Sequence, residues 1–121
     1  MILCKSIIQS YCKALKENDY QAMISLFAKD AKVFSYLAGD QPATEFYKNL
    51  FGTSRRTSVV VKNMFIESEG KTTVAVYLYL EAIRYEKFAI QFEAVDIFEF
   101  DFENKITTLK IIMDTWPLRK L

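Results

Sequence analysis

The chain has 121 residues, 51% of them hydrophobic, and sets 16 Lys and Arg against 15 Asp and Glu for a formal charge of +1. It has no His, 3 Gly and 2 Cys, which removes the imidazole of Ser-His-Asp and Cys-His sites, the usual zinc ligand sets and the clustered glycines of phosphate loops. Near-neutral charge gives no field to draw nucleic acid or an anionic membrane, and one domain over residues 1–121 can bury roughly two-thirds of its unfolded surface, so no metal or cofactor is needed for a core.

From Leu3 to Lys16, apolar residues at Ile7, Ile8, Tyr11, Cys12 and Leu15 recur at helical spacing and predict an amphipathic helix. Cys4 and Cys12 on that helix stand about 12 Å apart, too far for a disulfide, and read as buried thiols. The opening run Met1 to Lys5 is too short for a signal peptide and no later stretch is long enough to span a membrane, so a cytoplasmic protein is expected. Asn18-Asp19 marks a stop and a new N-cap, and Met23, Leu26 and Phe27 form the stripe of a second helix over Tyr20 to Phe27.

Ala31 to Tyr36 is extended in pattern, Gly39-Asp40-Gln41-Pro42 is turn and cap chemistry, and Thr44 to Phe51 is a third helix through Tyr47, Leu50 and Phe51. Arg55-Arg56 falls in a Gly/Ser/Thr loop and reads as solvated. The period then becomes alternating, with strands predicted at Val59 to Glu67, Thr73 to Tyr85, Phe88 to Phe102 and Ile106 to Trp116, joined by short antiparallel turns. Helices first and a strand meander afterwards is an α+β pattern.

On the third long strand, Phe88, Ile90, Phe92, Ala94, Phe98 and Phe100 share one face, and Asp96 has the same parity. The other acids, Glu93, Glu99 and Asp101, have the opposite parity. A lone carboxyl on a face built for burial is costly and responds with a raised pKa or a hydrogen-bond partner. On the last strand Leu109, Ile111 and Met113 form the apolar face.

Three runs, Tyr11 to Asp19, Leu26 to Val33, and Val95-Asp96-Ile97-Phe98-Glu99-Phe100 with Lys105-Ile106, resemble the nuclear transport factor 2-like superfamily, in particular its SnoaL-like and ketosteroid isomerase-like members. The resemblance covers nearly the whole chain. It implies a cone of three N-terminal helices packed on a strongly curved mixed, mainly antiparallel sheet, with a pocket between them. In ketosteroid isomerases a Tyr on the first helix and a protonated Asp on a late strand donate hydrogen bonds to the developing enolate oxygen. By resemblance these are Tyr11 and Asp96, with Tyr47 supporting the first Tyr. The pocket wall would include Ser35, Phe92, Phe98, Leu109, Ile111 and Met113.

The family's general base would stand two residues after Val33, where this chain has Ser35, and a serine hydroxyl does not take a proton from carbon at neutral pH. Asp40 and Asp114 are the candidate replacements for that base; Asp40 reads first as a helix cap, and Asp114 as a structural or terminal residue on the outward parity of its strand. Two functions follow. One is an isomerase- or cyclase-type enzyme acting on a small hydrophobic, carbonyl-containing ligand. The other is a non-catalytic binding or interaction module in which Phe88, Phe92, Phe98 and Phe100, with Met23 and Met113, fill the cone. Val95, Ile97 and Ile112, rimmed by Glu93, Glu99 and Lys110, form an apolar strip on the outer face that suits a two-fold homodimer.

Overall fold

The computed structural model describes residues 2–70 and 72–119; Met1, at the start of the opening apolar run, and Lys120 and Leu121, at the end of the expected domain, lie outside them. Cys4, Ile8, Tyr11 and Leu15, four and three residues apart, make one buried stripe on helix α1 (Ile2–Glu17). The helix stops at Asn18, whose φ of 53° is the left-handed conformation that Asn tolerates at a helix end. Asp19 then caps α2 (Tyr20–Ile24) by accepting the N–H of Ala22 at 3.1 Å. This helix ends three residues earlier than its periodicity predicts. The carbonyl of Leu26 accepts the N–H of Ile106 at 2.9 Å, so Phe27 is already committed to a strand, and its buried ring belongs to the sheet rather than to a helix face.

Strand β1 (Phe27–Ser35) turns through Gly39, at φ 80°, into β2 (Gly39–Pro42). Residues 39–42, expected as turn and cap, therefore pair antiparallel with β1, from Lys32 opposite Pro42 to Ser35 opposite Gly39. Pro42 opens α3 (Ala43–Thr53), which buries Ala43, Phe46 and Tyr47. The meander follows as β3 (Ser54–Ile66), β4 (Thr73–Arg84), β5 (Phe88–Phe100) and β6 (Ile106–Met113), with a last turn α4 (Trp116–Arg119). All four meander strands end sooner than predicted, β3 and β4 by one residue and β5 and β6 by two and three. After Phe100, Asp101 Oδ1 accepts the N–H groups of Glu103 and Lys105 and folds the chain back, leaving Phe102 fully exposed. After Met113 the chain turns into α4, which takes Trp116 out of the sheet.

The six strands form one open sheet in the order β2-β1-β6-β5-β4-β3. Every pairing is antiparallel except β1 with β6. The architecture is thus α+β, a mixed and mainly antiparallel sheet with three helices packed on one face, as the resemblance implies. Register shifts at Arg56/Ser58 and Val61/Asn63 mark bulges, which bend a strand and increase its twist. Val74, Val76, Leu78, Leu80 and Ala82 of β4 and Ile90, Ala94, Phe98 and Phe100 of β5 face the helices and are buried. No helix among the described residues is long and apolar enough to cross a membrane.

Aromatic rings join the layers. Phe98 meets the Tyr11 ring edge-on at 5.0 Å and stacks on Phe100 at 6.3 Å, while Tyr47 lies among Phe27, Phe46 and Phe51 at 5.5, 4.9 and 5.8 Å. Phe98→Ala would empty the centre of this seam and is expected to cost about 3–5 kcal/mol of stability, measured by urea unfolding; a loss under about 1 kcal/mol would show that the seam does not depend on it.

Candidate functional site

Because α1 lies on β3, and α3 on β1, β2 and β3, the sheet's bend opens a space beneath the helices. A cavity of about 370 Å³ occupies it, within the volume range of small-molecule sites. Its wall includes Phe92, Ile111 and Met113 from the sheet, Tyr11 and Leu15 from α1, and Phe46 from α3. The aromatic side chains therefore leave the cone open: Phe98 and Phe100 are stacked in the core, and Met23 is buried without reaching the cavity.

Tyr11 is 2% exposed and its hydroxyl lies 2.7 Å from that of Tyr47. Whichever of the two donates, the pair uses one hydroxyl hydrogen and keeps the other for a third partner. Asp96, 3% exposed on the inner face of β5, also lines the cavity, and its Oδ1 has no hydrogen-bond partner. Burial without compensation pushes its pKa up to about 7. Burial first, then the neighbouring Tyr47 and Asp96, drives Tyr11 well above the ordinary phenol range, so this hydroxyl stays a donor. Burial likewise raises Cys12 to about 11, which keeps it a thiol at neutral pH and removes it as a nucleophile.

Of the residues singled out in the sequence, Tyr11, Asp96, Ser35, Phe92, Ile111 and Met113 line the cavity. Tyr47, Phe98 and Leu109 lie behind the wall in the core, and Tyr47 reaches the site through its bond to Tyr11. Ser35 Oγ accepts the N–H groups of Leu37 and Ala38, both at 3.2 Å, and so shapes the turn after β1. Asp40 is exposed and stands opposite Phe34 in the β1–β2 hairpin, bordering a shallow outer groove. It caps nothing, because α3 has Pro42 at its N-cap and no side-chain cap bond. Asp114 accepts the N–H of Trp116 at 2.9 Å and caps the last turn. Neither acid reaches the cavity, which leaves Asp96 as the one carboxyl on its wall among the described residues.

The largest correction concerns Arg56. In place of the expected solvated loop, β3 begins at Ser54, and strand alternation sends Arg55 outward to an ion pair with Glu86 at 2.9 Å and Arg56 inward. Arg56 is 6% exposed and lines the cavity. Its Nε donates to the Leu15 carbonyl at 3.2 Å, its Nη1 to Ser54 Oγ at 3.0 Å, and its Nη2 to Asn18 Oδ1 and to the Ser54 carbonyl, with Phe51 packed at 5.2 Å from Cζ. Burial lowers its pKa to about 10, which leaves it charged at neutral pH. Gln41, Asn49 and Arg84 also reach the wall. No local pattern marks Arg56 as inward, since a bulge after it sets Ser58 opposite the outward-facing Glu81. No group of three or more His, Cys, Asp or Glu among the described residues could hold a metal ion.

No protein-family model matches this chain, and no curated protein matches it by sequence. Solved structures do. An NTF2-like protein of unknown function from Cytophaga hutchinsonii superposes with a TM-score of 0.72 at 16% identity, covering 96% of this chain and 94% of its own. The chain has the nuclear transport factor 2-like fold. A candidate polyketide cyclase from Pseudomonas putida superposes at 0.80 with 11% identity, covering 97% of this chain and 96% of its own. A candidate isomerase from Bacillus subtilis superposes at 0.84 with 9% identity, covering 98% and 91%. In all, 386 solved chains match, so the nuclear transport factor 2-like fold locates the cavity without choosing its chemistry.

Asp96 makes stability depend on pH. Unfolded, it titrates near the usual 3.8, and folded at about 7. Between these values the unfolded chain releases a proton that the folded chain keeps, so this contribution falls as pH rises, by up to about 4 kcal/mol. Asp96→Asn removes the titration and preserves the shape. Urea unfolding at about pH 4 and about pH 8 is expected to show the wild type losing more stability than the variant, and equal losses would rule out a buried, high-pKa Asp96.

Proposed function

We propose that this chain binds a small, largely apolar, carbonyl-containing molecule of the kind that SnoaL-like and ketosteroid isomerase-like proteins take, and polarises its oxygen through Tyr11 and Asp96 in support of isomerase- or cyclase-type turnover. The observation that carries this reading is a buried carboxyl with an unbonded oxygen on the wall of an open cavity, beside a tyrosine held by a second tyrosine. Protonated, Asp96 donates to the carbonyl oxygen together with Tyr11, where charge gathers as an enolate forms. Ionised, it accepts a proton from the neighbouring carbon and leaves Tyr11 as the donor; returning that proton to another carbon of the enolate completes an isomerisation. A pKa of about 7 populates both forms at neutral pH. The cyclase and isomerase descriptions of two structural neighbours support the reaction class.

A second reading is non-catalytic binding at the same site, and the single carboxyl favours it, since Ser35 occupies the place of the family's base and its hydroxyl is engaged with backbone N–H groups. Deuterium exchange at the carbon beside the carbonyl of a small cyclic ketone, followed by NMR, separates the two. The wild type is expected to exchange the ketone faster than Asp96→Asn does, and equal rates would leave binding alone.

The outer face supports a homodimer. Val95 pairs across the sheet with Ile112, and Ile97 with Lys110, placing the apolar strip beside Glu93, Glu99 and Lys110. A two-fold axis would set the Lys of one copy against a Glu of the other. A cytoplasmic setting completes the reading, with both thiols reduced. Light scattering on a sizing column is expected to give twice the 14.1 kDa chain mass and to return to the single mass for Ile112→Glu; a monomeric wild type would overturn the dimer.

A further inference from the structure

The cavity's charges do not balance. Two arginines line it, Arg56 and Arg84, against the single acidic residue Asp96. They sit on the same face of adjacent strands, since Arg56 pairs across with Ala82 and Ser54 with Arg84. Neither forms an ion pair among the described residues, whereas Arg55, one position away and facing outward, has Glu86. Arg84 rests on the Tyr85 ring, 5.2 Å from Cζ to centroid.

Buried charges are normally paired, because taking an ion out of water is expensive. The C-terminal carbonyls of α1, which receive Arg56 at Leu15, offset a part of its charge equivalent to about half a unit. The contacts of Arg56 engage four of the five guanidinium hydrogens and leave one on Nη1. Asp96 is not the missing partner: no ion pair joins it to either arginine among the described residues, and its Oδ1 has no hydrogen-bond partner. Along α1 Arg56 is held one helical turn from Tyr11, near enough for its charge to act on both tyrosines. Along the sheet its partner Ala82 lies six residues of β4 from Val76, the partner of Asp96. Between the rows of Arg56 and Asp96 the sheet wall is apolar, with Leu80, Phe92 and Met113.

We propose that the molecule bound here is an apolar carboxylic acid, its carboxylate held at the Arg56–Arg84 end and its body laid along the apolar wall towards Tyr11 and Asp96. This rests on the proposed function and narrows its ligand from any small carbonyl compound to one that also carries an anionic end. The carboxylate supplies the negative charge that the wall lacks and accepts the remaining Nη1 hydrogen of Arg56. Arg84, less buried and nearer the meander's turn, is the second arm of the clamp.

Three bicyclic probes of similar size test this by fluorescence or calorimetry: naphthoate, its neutral amide naphthamide, and naphthol. The wild type is expected to bind naphthoate about tenfold or more tightly than naphthamide, with the preference shrinking as salt is raised. Arg84→Gln is expected to lose much of that ratio, as is Arg56→Gln if it folds, and because the ratio compares two ligands on one protein, partial misfolding does not mimic the effect. Naphthol binding together with naphthamide at least as tight as naphthoate would overturn the carboxylate while leaving the carbonyl pocket standing. A ratio unchanged in Arg84→Gln and insensitive to salt would overturn the arginine clamp. Binding of none of the three would overturn both this inference and the pocket reading beneath it.

Discussion

The structure turns on the burial of Asp96. A carboxyl that is 3% exposed, with one oxygen unbonded, sits in the layer that holds the helices to the sheet. Keeping it out of water disfavours its charged form strongly enough to bring its pKa to about 7, an effect comparable to a sizeable share of a domain's whole stability. The surrounding rings and aliphatic residues of β4 and β5 must therefore supply enough burial to carry it. Phe98, packed edge-on against Tyr11, is the residue through which the acid's strand and the tyrosine's helix are fitted together.

Around this acid the polar groups are arranged in sequence rather than paired off. Burial first, and Asp96 after it, raises the pKa of Tyr11 and Tyr47, the two hydroxyls bond each other, and Arg56, whose charge acts on both tyrosines, is anchored to the end of α1. A direct ion pair between Arg56 and Asp96 would have neutralised both and closed the space. Their separation leaves a cavity whose sheet wall carries the acid in one row and the arginines several rows away. The proposed ligand would be oriented by that polarity, as it would not be in a purely apolar cone.

The two faces of the sheet divide the remaining work. The inner face of β4 carries Val74, Val76, Leu78 and Leu80, while its outer face presents Tyr77 and Tyr79, whose hydroxyls bond Glu93 and Glu81. Strand alternation enforces this division: each residue that lines the site has neighbours facing the other way. Altering the outer strip therefore leaves the cavity wall in place.

Much of this was legible in the chain because periodicity is local. The three-four spacing of Ile8, Tyr11 and Leu15 assigns Tyr11 to the buried side of a helix, and alternation along β5 assigns Asp96 to the buried side of a strand, whatever packs against them. Residues whose roles depend on distant partners were not legible. Phe27 leaves its helix because Ile106 is there to bond Leu26, and Gly39–Pro42 becomes a strand because β1 is there to receive it. Asp40 faces away from the cavity as a consequence, and Asp114 is drawn into a cap by the turn at Trp116. Arg56 is the clearest case: nothing adjacent in sequence separates it from the exposed Arg55. Only the arrival of α1's last carbonyls and Asn18, brought close by the bend in β3, makes a buried guanidinium tolerable there. Local hydrophobic pattern decides which face a side chain takes, and long-range pairing decides what that face meets.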